Sequence, residues 1–352
     1  MTGRQRGVAL ITALLIVFLC SLLATDLAWV QQLAIRRSSL LQHQQQARLY
    51  LLGAEQWAAV ILQRDARAGD TDYPSEEWAT VPPSLPVQGG AITGRIEDLQ
   101  GRFNLNNLLK VSDSAADANS DTAGDTQSSG NSTDSSKKDV TADDADTFQS
   151  TVAIGADIDP VQFAALQRLL EQLNIAPGIA QAIADWLDSD QEAVFPDGAE
   201  DGVYVSQNPA HLAANRPMSS ITELRLIAGV DEETYQKLAP YVCALPPGTP
   251  LNVNTALPTV LAAAGDGLST KQAEDAVKSG GSKGYASVDD FMKSVEFGSR
   301  GLSKQQLSVV SHFFLLTAAA QVGDGRATLR SLLKRGDKAG VRVVMRSFGE
   351  DY

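Results

Sequence analysis

The feature that most constrains this chain is an uncharged apolar run of eighteen residues from Val8 to Thr25. At about 1.5 Å rise per residue, a helix of this length covers about 27 Å, close to the thickness of the hydrocarbon core of a bilayer. Arg4 and Arg6 precede the run, and Trp29 follows it where a helix would leave the hydrocarbon. The sequence therefore predicts a helix that begins in a membrane.

The same helix is expected to continue beyond the membrane and to cover residues 8–64. Its apolar residues recur at intervals of three, four and seven, which is the pattern of a helix with one buried stripe: Leu33, Leu40, Ala47, Leu51, Ala54, Ala58 and Ile61. Arg48 and Glu55 fall on the opposite, polar face. One long helix would thus lead from the membrane into the rest of the chain.

The residues alone leave three interpretations of the N-terminus: a cleaved secretory signal, a plain single-pass anchor, and a leader cut on the cytoplasmic side of the apolar run. No A-x-A site ends the run, because Leu22 is too large for the −3 position before Ala24. A lipoprotein signal is disfavoured because Leu19 precedes Cys20, where a small residue is needed. The positive-inside rule does not decide the orientation, since two arginines lie on each side of the run.

Strand patterns occur near both ends of the remaining chain. Ile92 and Ile96 alternate with smaller or polar residues, and a second short strand is expected after a turn at Gln100-Gly101. After His312 the period changes again. A hairpin with its turn at residues 323–325 and a closing strand at residues 341–348 are expected there.

The segment between these strands has the features of helices. Asp159 is an N-cap before Pro160, and regularly spaced leucines follow. We therefore predict an α+β fold, with a long N-terminal helix on a small antiparallel sheet domain formed by residues 65–109 and 251–352. A large all-α domain, residues 157–250, would be inserted into it.

Residues 110–156 separate the first strands from the helices, and we predict that they form a disordered acidic linker. Between Val111 and Ser150 nine aspartates stand against two lysines, with few apolar side chains that could offset the entropy of ordering. The net charge of the whole chain is −13, which argues against nucleic acid as the main partner. Of the two cysteines, Cys243 is expected to be buried.

The segment with the clearest chemistry lies at the end of a predicted helix. Seven acidic residues fall within seventeen positions: Asp185, Asp188, Asp190, Glu192, Asp197, Glu200 and Asp201. Oxygen ligands on an irregular loop suit calcium better than octahedral magnesium. The loop is not an EF-hand, because Ala193 stands where the required glycine would be. A solvated acidic loop without a metal is the alternative.

Four segments resemble the minor pseudopilin K family of type II secretion, and one of them is Asn-Val-Asn-Thr-Ala at residues 252–256. The leader Arg-Gln-Arg-Gly-Val-Ala-Leu-Ile-Thr-Ala-Leu-Leu is similar to a type IV prepilin leader, and Thr12 stands where most pilins, but not this subgroup, carry a glutamate. Asp-Trp-Leu-Asp-Ser-Asp at residues 185–190, followed by Gly-Ala-Glu-Asp at 198–201, resembles the family's calcium loop. Gly-Arg-Phe-Asn-Leu-Asn-Asn-Leu at 101–108 also looks like a family segment.

The resemblance implies a protein of the bacterial inner membrane, with a single span at residues 8–25 and its C-terminal bulk in the periplasm. A prepilin peptidase would remove residues 1–7 by cutting after Gly7, and Val8 would be methylated. The chain would form the tip of the pseudopilus with minor pseudopilins of types I and J, on the inner-membrane secretion platform, and support export of folded proteins. Its structural calcium would be held by Asp188, Asp190, Glu200 and Asp201, with Asp185, Glu192 and Asp197 as weaker candidates.

Recognisable catalytic patterns are absent from the sequence. None of the three histidines, His43, His211 and His312, has metal or triad spacing, and no phosphate loop or G-x-S-x-G occurs. We therefore expect a structural protein and not an enzyme. The alternative is a membrane-anchored periplasmic enzyme with a calcium-stabilised lobe.

Overall fold

The computed structural model of this chain describes residues 5–80, 82, 84–110, 157–295, 301–336 and 340–349. The chain divides into two compact units. Unit 1 consists of Met1–Asp70, Ser75–Glu97 and His312–Tyr352, and unit 2 of Thr71–Pro74 and Asp98–Ser311. The predicted disordered linker lies outside the described residues, apart from Lys110.

The secondary structure mixes one very long helix with short helices and strands. The α-helices of the described residues are α1 (Gln5–Ala68), α2 (Pro160–Gln172), α3 (Ile179–Leu187), α4 (Asp201–Tyr204), α5 (Glu232–Leu238), α6 (Pro258–Ala264), α7 (Thr270–Gly280) and α8 (Val288–Ser294). The strands are β1 (Leu85–Val87), β2 (Gly90–Asp98), β3 (Phe103–Asn104), β4 (Val242–Cys243), β5 (Leu251–Asn252), β6 (Leu307–Ser308), β7 (Phe313–Val322), β8 (Gly325–Gly336) and β9 (Gly340–Phe348). Short 3-10 helices cover Leu99–Gly101, Leu105–Leu108, Ile221–Leu226, Gly281–Lys283 and Lys304–Gln306.

Unit 1 is one helix packed on one sheet. The sheet has five strands in the order β1-β2-β7-β8-β9, so the strands after the insertion extend the sheet that β1 and β2 begin. β7 and β8 form a hairpin, and β9 pairs antiparallel with β8. Side chains of α1 and of β7 and β8 share one core, which includes Leu51, Phe314 and Leu333. The predicted helix, hairpin and closing strand are thereby confirmed.

The buried stripe of α1 is shorter than predicted, and one charged residue lies within it. Ala47, Leu51, Ala58 and Ile61 are buried, but Leu33 and Leu40 are more than a third exposed. The apolar spacing identifies one face of α1 along its whole length. Only the part of that face that packs against the sheet, from Ala47 onward, is buried.

The prediction that Glu55 lies on the polar face of α1 is wrong, because Glu55 is fully buried. Its carboxylate accepts hydrogen bonds from Arg346 Nε at 2.8 Å and Ser331 Oγ at 2.5 Å. Burial would raise the pKa of Glu55, but the hydrogen bonds from Arg346 and Ser331 outweigh it and hold that pKa below its usual value. Glutamate is common on exposed helix faces. The residues next to Glu55 in sequence therefore do not show that it is buried.

Unit 2 is mainly helical, as predicted. α2 contacts α3 and α6, and α6 contacts α7. Two short parallel pairs, β3–β4 and β5–β6, connect distant parts of the chain. Cys243 in β4 is buried, in agreement with the sequence.

The inserted unit is longer than the predicted range 157–250. Residues 98–109 belong to it because β3 pairs with β4, and Leu105 and Leu108 lie in the core of unit 2. Residues 251–311 belong to it because α6 and α7 complete the same core. These pairings join residues far apart in sequence, which local patterns do not reveal.

A buried polar cluster ties the ends of the inserted segment together. Asp98 Oδ2 accepts hydrogen bonds from Ser311 Oγ at 2.6 Å, Thr255 Oγ1 at 2.5 Å and Asn252 Nδ2 at 3.2 Å. Asp72 accepts a hydrogen bond from Ser311 N at 2.7 Å. Burial raises the pKa of Asp98 to about 6, although the hydroxyl donors partly counteract it.

Candidate metal centre

The acidic loop lies between α3 and α4, and both of its ends are fixed by buried residues. Every residue of α3 is buried. Trp186 near its end packs edge-on against Tyr204 in α4, with 5.4 Å between ring centroids. Because Tyr204 is also fully buried, the loop is anchored in the core at each end.

Three carboxylates converge within this loop. Asp188 directly follows α3, and its N–H donates to Ala184 O at 2.9 Å. Glu200 directly precedes α4, and Asp190 lies between them in sequence. One oxygen atom of each of Asp188, Asp190 and Glu200 lies within 4.8 Å of the others.

Two of these acids, Asp188 and Glu200, are buried. Asp188 is 1% exposed and Glu200 is 7% exposed. All four of their carboxylate oxygens are buried and accept no hydrogen bond in the described part of the chain. Burying an ionised carboxylate without partners is costly, so this arrangement requires either protonation or a cation.

The electrostatics of the cluster are consistent with this requirement. Burial raises the pKa of Asp188 to about 7, with further contributions from the negative charges of Asp190, Asp185 and Asp157. Burial likewise raises the pKa of Glu200 to about 7, assisted by the neighbouring acids, of which Asp185 contributes most. A divalent cation between the carboxylates would lower the pKa values of Asp188 and Glu200 again, because it favours their charged forms.

Asp185, in α3, accepts a hydrogen bond from the backbone of the acidic loop. Its two carboxylate oxygens each lie 3.2 Å from Val194 N, the donor. Burial raises the pKa of Asp185 to about 6, against the opposing effect of backbone hydrogen bonds from Val194 and Ala199. A Cβ atom on Gly198 would lie 2.3 Å from Asp185 Oδ2. Gly198 is therefore required for the close approach of the loop to Asp185, a role that the sequence patterns did not predict.

The fourth expected ligand, Asp201, is placed differently from the other three. Its Oδ1 accepts from Ala213 N at 2.9 Å, and its Oδ2 accepts from Gln191 Nε2 at 3.3 Å. Asp201 therefore does not belong to the three-acid group, and it connects the loop to the segment that follows α4. Among the weaker candidates, Glu192 and Asp197 are exposed and also lie outside the group.

Asn215 is a residue near the loop that the sequence did not identify. It has a left-handed backbone conformation (φ 46°), and its Nδ2 donates to Asp190 O at 3.1 Å. Its Oδ1 is buried and accepts no hydrogen bond among the described residues. No sequence motif predicts this contact, because Asn215 and Asp190 are brought together only by tertiary packing.

The donor set fits a hard divalent cation. It consists of oxygen atoms only, on an irregular loop, which is the ligand type and the flexible geometry that calcium accepts. The buried, unpartnered oxygens of Asp188 and Glu200 are the observation that favours an ion over a solvated acidic loop, since solvated carboxylates need no burial.

The architecture of the chain defines the class of protein to which it belongs. A long N-terminal helix packs on an antiparallel sheet, and a helical unit is inserted between two strands of that sheet. α1 contains a segment long and apolar enough to cross a membrane, with a mean hydropathy of 2.4. These features define an α+β, pilin-like protein with an inserted helical unit.

Comparison with known proteins gives the family. Family models described as type II secretion system (T2SS), protein K, match residues 101–247 and 251–310. The type II secretion system protein K of Pseudomonas aeruginosa is 36% identical, over 98% of this chain and 93% of that protein. The protein of that name from Klebsiella pneumoniae is 32% identical, over 99% of this chain and 98% of that protein. The chain belongs to the type II secretion system protein K family, and it is a minor pseudopilin.

A solved structure supports the same fold. The chain is similar to one in the GspK–GspI–GspJ complex of the enterotoxigenic Escherichia coli type 2 secretion system, with a TM-score of 0.68 and 25% identity. The match covers 90% of this chain and 100% of that one. The expected fold class and family are thereby confirmed.

Proposed function

We propose that this minor pseudopilin forms the tip of a periplasmic pseudopilus together with I-type and J-type minor pseudopilins, and thereby supports export of folded proteins. The observation that carries the proposal is the likeness, over 90% of the chain, to a member of the GspK–GspI–GspJ complex. The inserted unit, Asp98–Ser311, is larger than the sheet that bears it and would be difficult to bury along a fibre shaft. Thr12 supports a terminal position, because it cannot pair with the amine of a further subunit.

Co-purification tests this arrangement. The full chain in detergent, mixed with the I-type and J-type proteins of the same secretion system in calcium-containing buffer, should elute from a sizing column as one complex. Separate elution of the three proteins at micromolar concentration would contradict the tip proposal.

The N-terminus carries the second part of the proposal. A prepilin peptidase would cut after Gly7, leaving the apolar part of α1 in the inner membrane and the chain that follows it in the periplasm. Intact-mass measurement of the membrane-extracted protein should show the loss of Met1–Gly7 and one added methyl group on Val8. Retention of the leader would instead favour a plain anchor, as in the enzyme alternative.

Calcium is the third part of the proposal, and its role is structural. Asp188, Asp190 and Glu200 would hold the ion, with Asp201 acting through its hydrogen bonds to the loop. Backbone carbonyls would complete the coordination. In this proposal the ion fixes the loop, and the chain acts as a structural protein and not as an enzyme.

A further inference from the structure

Asp157 is an acidic residue beside the candidate metal centre, although it lies outside the acidic loop in sequence. Ser189, which stands in that loop between Asp188 and Asp190, donates a hydrogen bond from its Oγ to Asp157 Oδ2 at 2.8 Å. Asp157 and Ser189 are 32 positions apart in the chain. The surroundings of the metal centre therefore include a second part of the chain, which is not among the seven acids that the sequence singled out.

The backbone on both sides of Asp157 is held in place by the fold. Lys110 N donates to Asp157 O at 2.8 Å, and Asp159 N donates to Leu108 O at 2.7 Å. Ile158, between the two aspartates, is 1% exposed and belongs to the core of unit 2. Aspartate has a short side chain, so a fixed backbone confines its carboxylate to a small volume. The fold thus places the carboxylate of Asp157 next to Ser189.

Ser189 separates two of the three acids that converge in the loop. Asp188 N donates to Ala184 O at 2.9 Å, which ties that residue to α3. Asp190 Oδ1 accepts a hydrogen bond from Glu192 N at 2.8 Å. A restraint on Ser189 limits the movement of the residues on either side of it. Ligands that are already in position bind an ion more tightly than mobile ones, because less conformational entropy is lost on binding.

The charge of Asp157 also acts on the centre. Burial is the main cause that raises the pKa of Asp188 to about 7, and the charges of Asp190, Asp185 and then Asp157 add to it. A negative charge that acts on Asp188 acts equally on a cation held by Asp188, where its effect is favourable. Asp157 therefore destabilises the empty centre and stabilises the occupied one.

Asp157 differs from the three candidate ligands in its position. It does not belong to the group of carboxylates whose oxygens lie within 4.8 Å of one another. It is exposed, whereas Asp188 is 1% exposed and its carboxylate oxygens accept no hydrogen bond from the described residues. The buried oxygens of Asp188 face the ion, and Asp157 acts on it from outside the ligands.

We propose that Asp157 is a positioning residue of the calcium centre, which restrains the loop through Ser189 and strengthens the binding of a divalent cation by its charge. This inference rests on the calcium site proposed above. It makes the affinity of the centre depend on a residue outside the acidic loop. It also makes that affinity depend on ionic strength, because an exposed charge is screened by salt.

Calorimetric titration of the full-length protein in detergent with calcium chloride tests the charge of Asp157. The variant Asp157→Asn keeps an oxygen that can accept from Ser189 but loses the charge. We expect it to bind calcium about three- to tenfold more weakly than the parent at low ionic strength, and the difference should shrink as salt is added. In chelator it should melt at or above the parent temperature, because one negative charge beside the empty centre is gone.

The hydrogen bond is tested by a cycle of three further variants. Ser189→Ala removes the donor and keeps the charge, so it should weaken calcium binding less than Asp157→Ala, which removes both the charge and the acceptor. The double variant Asp157→Ala/Ser189→Ala should bind calcium like Asp157→Ala alone, because the bond is already absent there. Losses that simply add would show that Asp157 does not act through Ser189, and would overturn the proposal.

The matched control is Asp197→Asn, which makes the same change in net charge on an exposed residue of the acidic loop outside the three-acid group. It should bind calcium like the parent. Equal affinity in the parent and Asp157→Asn, or an equal loss in Asp157→Asn and the control, would overturn the role of Asp157 alone. Absence of calcium binding by the parent would count against the calcium site itself.

Discussion

In calcium-free buffer the variant Asp188→Asn/Glu200→Gln is expected to melt at a higher temperature than the parent, and in calcium-containing buffer at a lower one. Without the ion, the substitutions remove two buried carboxylates that accept no hydrogen bond from the residues that the structure describes. With calcium at about a thousand times its dissociation constant, the parent gains about 4 kcal/mol that the variant does not. Scanning calorimetry in chelator and in calcium measures both differences.

The control for this experiment lies in the same loop. Glu192→Gln/Asp197→Asn removes two exposed carboxylates outside the three-acid group. It should retain the full calcium-dependent rise in melting temperature. The metal centre would be refuted if the parent melted identically with calcium and with chelator.

The same carboxylates give the chelated parent a definite pH dependence. The pKa values of Asp188 and Glu200, raised to about 7, lie above those of the unfolded chain. Their favourable contribution to stability is therefore present at low pH and is lost as the pH rises through 7. In chelator the melting temperature should fall between pH 6 and pH 8, and added calcium should reverse that fall because it binds the ionised forms.

Substitution of Arg346 by methionine is expected to lower the urea concentration at which the chain unfolds. Glu55 would remain fully buried while losing its bidentate partner, and an isolated buried charge is strongly destabilising. The loss should be smaller than for a pair with both partners buried, because the side chain of Arg346 is 39% exposed. Urea unfolding of parent and variant at neutral pH measures it.

The double variant Glu55→Leu/Arg346→Met separates the pair from general packing. It should recover most of the loss, since neither charge is left alone. The parent should also lose stability as the pH falls through the lowered pKa of Glu55, whereas the double variant should not show this loss. If both variants were equally destabilised, packing by the arginine side chain and not the ion pair would explain the effect.

The elements of unit 1 could be predicted from the sequence because their patterns are local. The apolar run and helical period gave α1, and the Gly-Asp-Gly turn between two apolar segments gave the β7–β8 hairpin. Burial along α1 was less predictable. Leu33 and Leu40 share the spacing of Leu51 but lie beyond the reach of the sheet, and Glu55 is buried by a partner almost three hundred residues away in sequence.

The position of the candidate metal centre could be predicted from the sequence, but its individual ligand atoms could not. Seven acidic residues in a short segment predict a site there, and the carboxylates of Asp188, Asp190 and Glu200 do lie close together. The engagement of Asp201 by Ala213 N and the position of Asn215 both depend on the segment after α4 folding back onto the loop. Such contacts are set by tertiary packing and have no short-range signature.

The hydrogen bond between Asp98 and Ser311 has a consequence for how this protein could change over evolution. Those residues are the first and last of the main inserted segment, so the segment leaves and rejoins the sheet domain at nearly one point. Closing a loop costs only slightly more as the loop lengthens, and unit 2 has its own core. The fold of the sheet domain therefore does not depend on the length of the inserted segment. Helices could be added to or lost from unit 2 while the membrane stem and sheet stayed the same.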